Sequence, residues 1–113
     1  MVYDTAKNLA RELQASPEYS QYVEARERAT ENEATRTMID EYHRLQIQAQ
    51  AAAVSGANNT ELLQKLQKIG EVLQFDQDAA AFLMAEFRLN RMLADVYKIL
   101  AEAIDVDLSP FEA

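Results

Sequence analysis

The stretch from Gln77 to Ile104 constrains this chain more than any other feature. It contains neither Gly nor Pro, so nothing in it interrupts a helix. Placed at about 100° per residue, Phe82, Ala85, Leu89, Met92, Leu93, Val96, Ile99 and Leu100 share one broad face. Leu83, Phe87, Ala94, Tyr97, Ala101 and Ile104 widen that face, leaving Arg88, Arg91, Asp95, Lys98 and Glu102 as the solvated strip. Apolar residues thus take roughly two-thirds of the circumference, whereas a surface helix needs an apolar arc of only about 100° or somewhat more. At about 1.5 Å per residue the helix reaches roughly 40 Å. A compact domain of this size is only about 35 Å across. The helix overhangs its own fold and needs more cover than short neighbours can give.

The rest of the chain is also helical in character. It holds 2 Gly and 2 Pro in 113 residues, too few for the regular turns of a strand-rich fold. Val2, Ala6, Leu9 and Leu13 mark a first helix over about 2–15. Ser16-Pro17 breaks it and starts a second, over about 17–30, with Ser16 as cap and Pro17 at the first position. Glu24 and Arg28 are spaced there as an i,i+4 pair. Asn32 caps a third helix over about 33–54, whose Met38, Tyr42, Leu45, Ala49 and Ala52 repeat like a coiled-coil seam. Ile47, Ala51 and Val54 form an adjacent stripe, and the small residues between Gln46 and Ala53 let another backbone come close. Gly56 ends that helix in a left-handed cap. Asn58 and Glu61 have the spacing of a capping box for a fourth helix, over about 60–74. Leu62, Leu66, Ile69 and Leu73 form its seam, and Phe75-Asp76 leads into the fifth helix, over 77–104. A tail over 105–113 loses the helical pattern.

The expected fold is all-α and single-domain over 1–113: a long antiparallel hairpin, the third helix against the fourth and fifth, with two short N-terminal helices. Two or more copies are expected to pair into a helical bundle, because self-association supplies the missing cover. Phe82, Leu89, Leu93, Val96 and Leu100 are the expected core and oligomer-interface residues. Glu86 and Asn90 fall inside the same arc, one turn apart, and are expected as a buried polar pair that meets a partner across the bundle and sets register.

Composition narrows the chemistry. Net charge is −8, which works against direct nucleic-acid binding, where affinity comes mainly from neutralised phosphates. There is no Cys, which removes disulfides, thiolate metal sites and thiol nucleophiles together. The longest apolar run, Ala79 to Ala85, cannot span a bilayer. The N-terminal residues lack the charged and apolar regions of a secretory signal, so a cytoplasmic location is expected. No catalytic residue, metal ligand set or cofactor is assigned. Asp40 and His43 do stand at the i,i+3 spacing that di-iron bundles use as Glu-x-x-His. A metal- or ligand-binding bundle built on Asp40, His43 and Glu86 is therefore the alternative. A further alternative is an accessory role in RNA processing, which predicts that Arg26, Arg28 and Arg36, or Arg88 and Arg91, converge on one face.

Several stretches in order resemble the YlbF/YmcA family of small bacterial helical proteins, which includes YheA-like members. They are Ala6-Lys-Asn-Leu-Ala-Arg-Glu-Leu13, Ser16-Pro-Glu-Tyr19 with Tyr22, and the polar turn before Ala34. Met38-Ile-Asp-Glu-Tyr42 leading into Leu45-Gln-Ile-Gln follows, then Phe82-Leu-Met-Ala-Glu86 with Leu89, Leu93 and Val96. The resemblance implies a helical hairpin, self-association, a cytoplasmic home in a Gram-positive bacterium and no enzyme activity. Some members regulate competence, sporulation and biofilm formation in a complex that influences RNA processing by a membrane-anchored endoribonuclease. Iron–sulfur clusters are tied to that complex, and this chain has no Cys with which to ligate one. The expected function is a non-catalytic regulatory adaptor whose partners are its own copies and other helical proteins.

Overall fold

A computed structural model describes residues 1–56 and 59–105. The described residues form five helices and no strand: α1 (Val2–Gln14), α2 (Pro17–Thr30), α3 (Glu33–Val54), α4 (Thr60–Gln74) and α5 (Gln77–Ile104). The tail beyond Asp105 lies outside the described residues.

Local chemistry sets each boundary. Ser16 accepts from the Tyr19 N–H at 3.2 Å and donates to the Leu13 carbonyl at 2.6 Å, so one hydroxyl closes α1 and opens α2. Asn32 caps α3 by accepting from the Thr35 N–H at 3.2 Å. Gly56 follows α3 with φ +77°, a conformation that costs Gly nothing and would strain a residue with a Cβ. The α4 cap is Asn59, which accepts from the Leu62 N–H at 3.1 Å. It sits one position later than a box between Asn58 and Glu61 would need, and Asn58 itself lies outside the described residues. The helix begins at Thr60, so the residue just before it holds the extended backbone from which a side chain reaches the free N–H groups. Asp76 caps α5, accepting from the N–H groups of Asp78 at 3.0 Å and Ala79 at 3.1 Å. Asp105 closes α5 with φ 51°.

The chain groups into two compact units. One is Val23–Leu83, and it holds the hairpin. Here α3 packs along α4 as the principal helix pair. Leu45 and Gln48 lie beside Asn59 and Leu62. Further back along α3, the Tyr42 ring lies over Gly70, and the Thr35 hydroxyl donates to Asp76 at 2.7 Å. Rising α4 numbers meet falling α3 numbers, so the two helices are antiparallel. Ala29, Ile39, Leu45, Leu73, Ala79 and Phe82 form the buried apolar core of this unit, with Thr35 the buried polar residue. The Phe82 ring meets His43 edge-on, with centroids 6.1 Å apart and an interplanar angle of 79°. The start of α5 thus touches α3 through Phe82 and, at its cap, through Asp76.

The other unit comprises, among the described residues, Met1–Tyr22 and Met84–Asp105. Ala85 is its buried apolar residue. Leu9 and Leu13 of α1 and Leu89, Met92, Leu93 and Val96 of α5 are half-buried. No residue of α1 is fully buried, although its apolar positions fall on one face.

Candidate functional site

The face of α5 that carries Phe82 changes character along its length. Phe82 is only 4 % exposed. Leu89, Leu93 and Val96, each on the same face, are half-buried. Leu100 is 47 % exposed and Ile104 62 %. Tyr97 and Ile99, which flank them, are exposed as well. Of the five positions read as core or interface, Phe82 belongs to the core and Leu100 lies open. The remaining three stand between.

Glu86 and Asn90, expected to meet a partner across the bundle, lie on this α5 face in the single chain. Asn90 is exposed and Glu86 half-buried, with interactions of its own. The reason is the same uncovering: a position inside an apolar arc is buried only where another element lies over that arc.

Polar groups elsewhere are largely matched in sign. Between α3 and α4 lies an open polar groove of about 260 Å³, lined by Glu41, Arg44, Gln48, Asn59, Glu61 and Lys65 among others. Arg44 donates to Glu41 through two guanidinium nitrogens, Nε at 3.0 Å. That hydrogen bonding holds the Glu41 carboxyl below its ordinary range and raises the Arg44 guanidinium. Lys65 pairs with Glu61 at 3.6 Å. Each cation here has its own carboxylate, so the groove offers no surplus charge for an ion.

The metal-binding alternative gains no geometric support among the described residues. Among the described residues, no three or more His, Asp or Glu side chains gather as a metal site requires. Asp40 is exposed and His43 half-buried against Phe82. Arg28 is engaged by Glu24 at 2.8 Å, the i,i+4 pair that its spacing predicts. What sequence reading did not single out is the link from Thr35 to Asp76. Its two residues stand far apart in the chain, and neither carries a periodic signal. The capping position of Asp76 was the one available clue.

Comparison with known proteins places these features in a family. The sequence profile described as "Control of competence regulator ComK, YlbF/YmcA" matches residues 2–105. A UPF0342 protein of Symbiobacterium thermophilum is 43 % identical over 111 residues, covering 97 % of this chain and 98 % of that protein. A UPF0342 protein of Halothermothrix orenii is 32 % identical, with coverage of 98 % and 95 %. Among solved structures, a protein of unknown function (DUF964) from Bacillus stearothermophilus aligns with a TM-score of 0.77 at 19 % identity, covering 92 % of each chain. Bacillus subtilis RicA, crystallised in complex with RicF, aligns with a TM-score of 0.60 at 21 % identity, covering 92 % of this chain and 93 % of that one. These two likenesses concern the fold, and they agree with the all-α arrangement described above. A profile match over nearly the whole chain and relatives alike from end to end lead to one conclusion: the chain belongs to the YlbF/YmcA family.

Proposed function

We propose that this protein is a non-catalytic regulatory adaptor that works by presenting uncovered helix faces to its own copies and to other helical proteins. The observation that carries the reading is the gradient along α5, from Phe82 in the core to Leu100 and Ile104 in solvent. Leaving large apolar side chains in water forgoes roughly 1.5–3 kcal/mol each, and a face that is continuous with the core is ready to be extended by another helix. The family description, control of a competence regulator, supports a regulatory task. RicA, similar in fold, was crystallised with a protein partner, which supports partner binding as the mode of action. No helix among the described residues is long and apolar enough to cross a membrane.

The test uses light scattering and sedimentation across a concentration series. The wild type is expected to associate. Leu100→Glu combined with Ile104→Glu is expected to weaken association at least tenfold with helicity unchanged, because both positions are exposed in the single chain. A wild type that stays monomeric at hundreds of micromolar, or a variant that associates as before, would rule out α5 as the docking face.

A further inference from the structure

The C-terminal half of α3 carries a second uncovered surface. Its seam toward α4 uses Leu45, which is buried, and Ala49 and Ala52, which are half-buried. Ile47, Ala51 and Val54 lie elsewhere on the cylinder, spaced by four and three residues, and all three are exposed. Ile47 is 67 % exposed and Val54 84 %. With Gln50 and Ser55 they line a shallow apolar recess of about 410 Å³.

Two properties say what covers it. The first is charge. From Leu45 to Thr60 there is no charged residue, the longest such run in a chain that is 27 % charged. Interface cores are depleted of charge. A chain of net charge −8 repels its own copy, and that repulsion is least where neither copy brings a charge to the contact. The second is symmetry. The stripe is large, small, large: Ile47, Ala51, Val54. Turned about a two-fold axis between positions 50 and 51, it fits itself, with each Ile47 beside Val54 of the second copy and the two Ala51 near the axis. Isologous contacts need this self-complementarity, and at the crossing the small Ala51 of each copy leaves room for Gln50 of the other.

We propose that this stripe is a contact surface between two copies of the chain, α3 lying antiparallel against α3 of the second copy across Gln50 and Ala51. The inference rests on the self-associating reading above and names a surface separate from the α5 face. A stripe of about two helical turns buries less than the roughly 800 Å² per partner of a standard interface. By itself it therefore gives a weak dimer that forms as concentration rises.

The absence of Cys makes the test clean. Ala51→Cys introduces one thiol near the axis, and Ala53→Cys places one at another exposed position of the same helix. Under mild oxidation in the concentration range where the wild type associates, Ala51→Cys is expected to form disulfide-linked dimers at least tenfold faster than Ala53→Cys. Ile47→Glu with Val54→Glu, which loses no buried contact within the chain, is expected to keep its helicity and weaken self-association at least tenfold. Equal cross-linking at the two positions, with the wild type still dimeric by light scattering, overturns this surface and leaves self-association standing. A double variant that dimerises normally but loses binding to a different protein overturns it too, by assigning the stripe to another partner. A wild type that is monomeric throughout sinks both readings.

Discussion

Thr35 and Asp76 show how much one hydrogen bond can organise. Asp76 accepts from the Thr35 hydroxyl and from two N–H groups of the first α5 turn, so one carboxylate starts α5 and ties it to α3. The Thr35 bond, followed by the Ala79 N–H, holds the Asp76 carboxyl below its ordinary value of 3.8. A carboxyl whose native value lies below its unfolded value stabilises the fold above the unfolded value, and that contribution fades as pH falls through the native one. Asp76→Ala is expected to cost about 1–3 kcal/mol at pH 7, from a lost cap and an unpaired buried hydroxyl. The difference between wild type and variant should narrow as pH drops below about 4, as read by urea denaturation at several pH values. Asp76→Asn, which keeps a cap and an acceptor, should recover most of the loss at pH 7. Gly70 makes the opposite case. A Cβ there would meet the Tyr42 ring at 3.5 Å, an ordinary contact. Gly inside a helix costs roughly 0.5–1 kcal/mol relative to Ala, so Gly70→Ala should raise the urea midpoint by a corresponding amount.

At the scale of the element, helix identity and extent were legible because period and punctuation agree. The four-three seam positions of α3 and α4 are all buried or half-buried, and the two helices pack as a pair. Ser16, Asn32, Gly56 and Asp76 are boundary residues whose preferred conformations differ from the helical one, and each stands at its boundary. The α4 cap is Asn59 where the capping-box spacing points to Asn58, because the two are chemically equal as caps and only the start of the helix decides between them. Burial was less legible than secondary structure. An apolar arc states what a helix could bury, not what lies over it. Phe82 and Leu100 occupy the same face and end in opposite environments, and Asn90 is exposed for the same reason. The Thr35–Asp76 link was illegible in sequence, since a contact over 41 residues has no periodic trace.

For the molecule as a whole, the acidity of the chain predicts how association responds to salt. With a net charge of −8, copies repel over about 10 Å at 0.1 M salt. Raising ionic strength should therefore tighten self-association, as measured by sedimentation, whereas an assembly held by ion pairs would loosen. The α5 gradient bears on dynamics too. Helices in folded proteins draw most of their stability from packing, and the last turns of α5 have little of it. Amide deuterium uptake should rise from Phe82 toward Ile104 in dilute solution and fall selectively over the final turns when the protein is concentrated. Assembly would then be visible as a freezing of backbone already helical but loosely held, a disorder-to-order cost that tempers affinity and keeps the complex readily reversible.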